Sequence, residues 1–122
     1  MKTDRKSSLN KQMRIYNKMG VRVIELKGSI QQEETDSLES MIHDLYTSGQ
    51  KYLVIDLKNV QNLCSSALGI LVTYKKIFQE ENGDIKLVMD SPTLKHLFHV
   101  TMLDNVFEMS ESAGEAIANF QR

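Results

Sequence analysis

Tyr52-Leu53-Val54-Ile55-Asp56-Leu57 is the stretch on which the fold turns. Asp56 is its only charged residue, Val54 and Ile55 are β-branched, and turn-forming residues follow. A run this short and this apolar reads as a strand buried on both faces rather than as a helix. Such a strand lies inside a sheet, so the flanking segments must supply both neighbouring strands and covering helices. Lys58 to Cys64, with its polar residues, is expected to be the loop that leaves it.

Upstream, Met13, Ile15 and Tyr16 open a first strand, and Lys18-Met19-Gly20 reads as a hairpin turn. Val21, Val23 and Glu25 alternate with Ile24 and Leu26 along a second strand that Gly28 ends. Between it and the decisive stretch, Leu38, Met41, Ile42 and Leu45 recur at helical spacing, which predicts a helix from Glu33 to Ser48 with acids in its first turn. Downstream, a second helix is expected from Ser66 to Glu81, stopped by Asn82-Gly83, with Ala67, Ile70, Leu71, Tyr74, Ile77 and Phe78 as its core stripe. Ile85, Leu87 and Val88 form the next strand. Ser91-Pro92 is a helix start, a hydroxyl cap followed by proline at the first helical position, for a helix to Val100. Val106-Phe107-Glu108-Met109 reads as a weak last strand, and Ser112 with Glu115 as the capping box of a last helix carrying Ala116, Ile117 and Phe120. Strands alternating with helices give an α/β fold. The expectation is a sheet of four to five strands with about four helices mainly on one side. Residues 1–11 are polar and read as a flexible tail, leaving 12–122 as a single domain.

Composition narrows the function without naming it. The chain has 122 residues, 41% hydrophobic and 25% charged, an ordinary globular balance. Fifteen basic residues against 16 acidic ones give a net charge of -1, which disfavours nucleic-acid binding by a whole basic surface. A lone cysteine, Cys64, forms no intramolecular disulfide and fits a reducing, intracellular compartment. No apolar run approaches the ~20 residues of a membrane span, and the charged start of the chain leads into no apolar leader core.

The chemistry concentrates in Leu63-Cys64-Ser65-Ser66-Ala67-Leu68-Gly69-Ile70-Leu71, just after the decisive strand. Sites in open α/β sheets form at the carboxyl ends of strands. A helix N-terminus there has unpaired N–H groups and the positive end of the helix dipole, so it accommodates an anion, including a phosphate on Ser65. The plainer alternative is that Ser65 or Ser66 only caps the helix. Leu68 and Val72 fall beside the core stripe and continue into Lys75 and Lys76. They are either a partner surface with a charged rim or the margin of a wide buried stripe. A nucleophilic Cys64 or Ser65 would need a base, and only His43, His96 and His99 exist to supply one by imidazole. His96 and His99 have a metal-sharing spacing but no clear third ligand. No phosphate-binding glycine motif occurs. No cofactor or metal is expected.

Three runs carry a family resemblance: Val23-Ile24-Glu25-Leu26-Lys27-Gly28-Ser29-Ile30, then Leu53-Val54-Ile55-Asp56-Leu57-Lys58-Asn59-Val60, then Ser65-Ser66-Ala67-Leu68-Gly69-Ile70-Leu71. Together they are similar to the STAS domain, and more narrowly to bacterial anti-sigma-factor antagonists, over about residues 12–120. The resemblance implies a small cytoplasmic, non-enzymatic binding protein. Its unphosphorylated form would hold an anti-sigma factor that is also a serine kinase. Phosphate on Ser65 would release that partner, and a serine phosphatase would restore the active form. Ser66 matches the position expected to cap the helix. The implied partner face comprises Gln31, Cys64, Ser65, Ser66, Leu68, Val72 and Lys75. The chain departs from the pattern where the family usually has acids, carrying Cys64 before the phosphoacceptor and Gln31 after the second strand. Ala67 stands where glycine is frequent. The other reading of the resemblance is a constitutive interaction subunit or scaffold without a phosphorylation switch.

Overall fold

The computed structural model describes residues 12–120, so the expected tail at 1–11 lies outside the described residues. Five strands, β1 (Met13–Lys18), β2 (Val21–Ile30), β3 (Tyr52–Leu63), β4 (Asp84–Val88) and β5 (Met109–Ser110), stand in one sheet in the order β1-β2-β3-β4-β5. β1 runs antiparallel to β2, and the other neighbours are parallel. Four helices connect and follow them: α1 (Gln32–Thr47), α2 (Ser65–Glu80), α3 (Pro92–Val100) and α4 (Ala113–Phe120), with a 3-10 turn at Leu103–Asn105.

The hairpin between β1 and β2 uses two residues, Met19 with φ 55° and Gly20 with φ 83°. Positive φ at both positions is the turn whose twist matches a right-handed strand pair, and glycine enters that region without the steric cost of a Cβ. Asn17 Oδ1 accepts the Gly20 N–H at 3.1 Å and fixes the turn.

β3 has strand neighbours on both edges, as its apolar run predicts. Leu53, Ile55 and Leu57 face the larger core with Leu38, Ile42 and Leu45 of α1, Ala67, Leu71 and Phe78 of α2, and Leu94 and Phe98 of α3. On the opposite face Val54 joins Val21, Val23 and Val88 under Ala113, Ala116 and Ile117 of α4. Three helices therefore cover one face and one covers the other. Asp56 is buried, and its Oδ1 accepts the Lys58 N–H at 3.0 Å. The helix start at Ser91 is as expected, and of the capping box expected at Ser112 only the hydroxyl half forms, since the Glu115 carboxylate accepts the Glu111 N–H at 2.8 Å instead of that of Ser112. Ser91 Oγ accepts from Leu94 N–H at 3.3 Å, and Ser112 Oγ from Glu115 N–H at 3.1 Å.

Three expectations are corrected. Residues 58–63 are strand, not loop. They pair with Lys27–Ile30 of β2 across two register shifts. Lys58, Asn59, Gln61 and Asn62 are poor strand formers, but this stretch runs past the end of β4, and all four are exposed. Val60 and Leu63 provide its buried side. The last strand is Met109–Ser110 rather than Val106–Met109, because Phe107 turns into the core and Val106 is exposed. The second helix begins at Ser65, one residue before its expected start.

Lys75 is also misplaced by the sequence reading. Its side chain is only 6% exposed and reaches Asp84 Oδ1 at 2.5 Å and Ile85 O at 3.2 Å, with Nζ 5.6 Å from the Phe107 ring centre. The helix face at 75 looks toward β4, where a long stem can stay buried while its ammonium finds a carboxylate. Lys75 therefore pins α2 to the start of β4 and does not extend the surface formed by Leu68 and Val72.

Candidate functional site

β2 and β3 extend together beyond β4, and each turns directly into a helix. The last rung between them is Cys64 N–H to Ile30 O at 2.9 Å. Gln31, with φ -104° and ψ -175°, is the N-cap of α1. Cys64, with φ -74° and ψ 164°, is the N-cap of α2. Two helix N-termini thus stand side by side at the carboxyl end of two adjacent parallel strands, where open sheets build sites.

Side chains tie the two turns together. Gln31 Nε2 donates to Asn62 Oδ1 at 3.0 Å, and Ser66 Oγ donates to Gln32 Oε1 at 2.9 Å. The Glu34 carboxylate accepts the Gln31 N–H at 2.7 Å, which partly answers the unpaired donors of α1. Glu33 and Glu34 lie in the first turn of α1, whereas the first turn of α2 holds no acid. In α2 the first N–H with an intrahelical partner is that of Leu68, to Cys64 O at 3.2 Å. The positive end of the α2 dipole is therefore not offset by a local carboxylate, and an anion is favoured there.

Ser65 occupies the first position of α2 and is exposed. Among the described residues its hydroxyl has no hydrogen-bond partner. Neither serine is the N-cap: Cys64 holds that position without a side-chain cap bond, and Ser66 is bonded to α1 instead. The expected capping role of Ser66 is thus replaced by a tie between helices. Cys64 is half-buried. Leu68 and Val72 are half-buried and rest against the main core, so they are neither wholly core nor free surface. The structure brings Gln31, Cys64, Ser65 and Ser66 to one end of the molecule, with Leu68 and Val72 on the flank of α2 that leads away from them. Lys75 is turned inward.

Sequence reasoning missed Gln32 and Asn62. Nothing in the local pattern marks them, since exposed amides are ordinary at a helix start or a loop. Only the register that sets Ser29 opposite Asn62 and Ile30 opposite Leu63 puts them at this site.

Two of the three histidines, His43 and His99, lie in other contacts. His43 Nδ1 is 3.1 Å from the Tyr74 hydroxyl, and His99 Nδ1 is 2.9 Å from Asp104 Oδ2. Burial, and then the charge of Glu39, push the Tyr74 phenol above its ordinary range, so at neutral pH it is protonated and able to donate to the imidazole. Among the described residues no histidine hydrogen-bonds the Cys64 thiol or the Ser65 hydroxyl. Among the described residues neither side chain hydrogen-bonds a base of the kind that activates a nucleophile.

A five-stranded, mostly parallel sheet with paired helix starts at its carboxyl end defines an α/β domain whose most distinctive surface is a hydroxyl on a helix N-terminus. The STAS domain matches residues 12–116, and the chain belongs to the STAS-domain family. An anti-sigma F factor antagonist from Paenibacillus polymyxa is 20% identical over 114 residues, covering 93% of this chain and 97% of that protein. An anti-sigma factor antagonist from Mycobacterium paratuberculosis, solved by crystallography, shares 25% identity with a TM-score of 0.78, covering 90% of this chain and 93% of that one. The phosphorylated form of the Bacillus cell fate determinant SpoIIAA has the same fold. Its TM-score is 0.70 at 16% identity, over 88% of this chain and 98% of that one.

Proposed function

We propose that this STAS domain is a cytoplasmic anti-sigma factor antagonist whose hold on its partner is released by phosphate on Ser65. The single observation that carries the reading is the placement of Ser65. Its hydroxyl is exposed, lacks a partner among the described residues, and stands on a helix N-terminus that no first-turn acid neutralises. The name of the Paenibacillus relative supports an anti-sigma factor as the partner. In this reading the partner is also a serine kinase, and a serine phosphatase resets the switch. A phosphate adds roughly -1.5 to -2 charges beside Leu68 and Val72. Inside an interface that charge is desolvated and repelled, while in the free protein the helix N-terminus tolerates it. Dissociation then needs no refolding. A pull-down from the native cell tests the reading, with the state of Ser65 in the bait read by mass spectrometry. Capture of an anti-sigma factor by unphosphorylated bait only is expected. Equal capture by both forms would instead establish a constitutive interaction subunit, the reading that the uncharged Gln31 and Cys64 favour.

Leu68→Asp is expected to abolish capture and to cost about 1–2 kcal/mol of stability, the size of effect expected at a half-buried site. Thermal melts run beside the pull-down separate the two effects. Unchanged binding by the folded fraction would remove Leu68 from the interface.

The double substitution Gln31→Asp with Cys64→Asp restores the two acids that the family resemblance leads one to expect. Both positions are N-caps, where Asp is among the preferred residues, so the variant is expected to stay folded. Carboxylates there orient the hydroxyl or pair with a kinase cation, and faster phosphorylation by a typical anti-sigma kinase is the expected result. Incorporation of labelled phosphate over time measures it. A rate equal to wild type would make the two departures neutral.

A further inference from the structure

Adjacent serines at a phosphorylation site raise the question of which one reacts, and α1 bears on the answer. Ser65 and Ser66 are both exposed and both lie in the first turn of α2. They differ in one contact. The Ser66 hydroxyl donates to Gln32 Oε1 at 2.9 Å, while among the described residues the Ser65 hydroxyl has no partner. A second tie, Gln31 Nε2 to Asn62 Oδ1 at 3.0 Å, joins the same two turns and limits their separation.

We infer that Gln32 is a positioning residue that reserves the Ser66 hydroxyl and so confines phosphate to Ser65. The inference rests on the phosphorylation switch proposed above and adds what sets its site. In the transfer, a serine Oγ attacks the γ-phosphorus of a nucleoside triphosphate held by the kinase. The bond from that phosphorus to the bridging oxygen breaks, the diphosphate leaves, and the hydroxyl proton passes to a base of the kinase. Ser66 directs its proton to an amide oxygen, which holds it in a hydrogen bond but does not take it. To react, Ser66 must leave that contact and turn its oxygen outward. Its product is disfavoured as well. A dianion on Ser66 would stand beside the first turn of α1, which already carries Glu33 and Glu34. Ser65 has no such contact to leave, because among the described residues its hydroxyl makes no tie to α1.

The test is phosphosite mapping by mass spectrometry after incubation with the anti-sigma kinase captured by the wild-type chain. Wild type, Gln32→Ala, Gln32→Glu, and each of these in a Ser65→Ala background are compared. The wild type is expected to carry phosphate on Ser65 alone. Gln32→Ala should bring a detectable share of phosphate onto Ser66, since one lost hydrogen bond carries a factor of roughly five- to tenfold, and Ser65→Ala with Gln32→Ala should accept phosphate where Ser65→Ala does not. Gln32→Glu keeps an acceptor for the Ser66 hydroxyl and should restore selectivity for Ser65. This division between sites is a readout that a merely structural role of Gln32 would not move. Phosphate on both serines of the wild type, or an unchanged division in Gln32→Ala, overturns the inference and leaves the switch standing. Phosphate on neither serine of the wild type overturns the switch, and the inference with it.

Discussion

Ser65→Asp is expected to weaken binding of the anti-sigma partner by about a hundredfold while leaving the melting temperature unchanged or slightly raised. The two effects have opposite signs because the same charge meets two environments. In the free protein, residue 65 is the first position of α2, and a carboxylate there faces unpaired N–H groups and the positive end of the helix dipole, a gain of about 0.3–1 kcal/mol. In the proposed complex the same carboxylate would be pressed against a partner with its hydration removed. An unpaired charge in an interface costs about 2–5 kcal/mol, and a hundredfold loss of affinity corresponds to about 2.7 kcal/mol. Ser65→Ala removes a hydroxyl without a partner among the described residues, so neither affinity nor stability should change by more than about 0.5 kcal/mol. Titration calorimetry against the purified partner, with a thermal melt of each variant, reads both quantities. Equal affinity of the Asp and Ala variants would show that charge at residue 65 does not govern binding. A fall in melting temperature on Ser65→Asp would mean that lost structure, rather than interface charge, explains any loss of affinity.

Much of this arrangement is legible before any coordinates are seen, and the reasons differ from element to element. Tyr52–Leu57 identifies itself because a two-sided apolar run has few other places to go. The hairpin at Met19-Gly20 and the helix start at Ser91-Pro92 are local devices, written in residues whose backbone preferences are strong. Ser65 is legible for the same reason: a hydroxyl pair between a buried strand and an apolar helix falls where α/β sheets place sites. What escapes is set by tertiary partners. The strand at 58–63 exists because β2 continues beside it, with β3 taking up an extra residue at each of the two register shifts, and its Lys, Asn and Gln residues carry no strand preference of their own. Lys75 reads as rim because a lysine on a helix usually is; Asp84 and the Ile85 carbonyl at the start of β4 give its ammonium a reason to be buried. Gln32 and Asn62 enter the site through register alone. The polar ties that orient Ser65's neighbourhood are thus the part least visible in the chain, although each is an ordinary hydrogen bond.

Gly83→Ala should be the most damaging single methyl added to this molecule, and it acts at the end of α2 opposite Ser65. A Cβ at residue 83 would stand 2.0 Å from Lys51 O and 2.8 Å from the Lys51 carbonyl carbon. Both atoms belong to backbone, so no rotamer change relieves the clash. Each segment is also held in place by its own bonds. Gly83 N–H donates to Phe78 O at 2.8 Å, closing the end of α2, and Asp84 N–H donates to Lys51 O at 2.9 Å, opening the pairing of β4 with β3. Moving residue 83 away breaks the second bond; moving Lys51 pulls on the start of the central strand. Overpacking typically costs about 1–3 kcal/mol, and a clash confined to backbone belongs at or above the top of that range, so a loss of about 3–4 kcal/mol is expected. For a domain of this size each kcal/mol lowers the melting temperature by about 2–8 °C. The function should respond differently. The helix starts that carry Ser65, Ser66 and Gln31 are held by the β2–β3 extension and by contacts between α1 and α2, none of which includes residue 83. Below its lowered melting temperature, Gly83→Ala should therefore bind the partner with wild-type affinity and accept phosphate on Ser65 at the wild-type rate. Calorimetric melting with affinity measured well below the transition separates the two quantities. An unchanged melting temperature would mean that the close approach at Lys51 relaxes at no cost. A loss of affinity in the folded protein would mean that the two ends of α2 are coupled through the helix, and that the site depends on more than the ties at its own end.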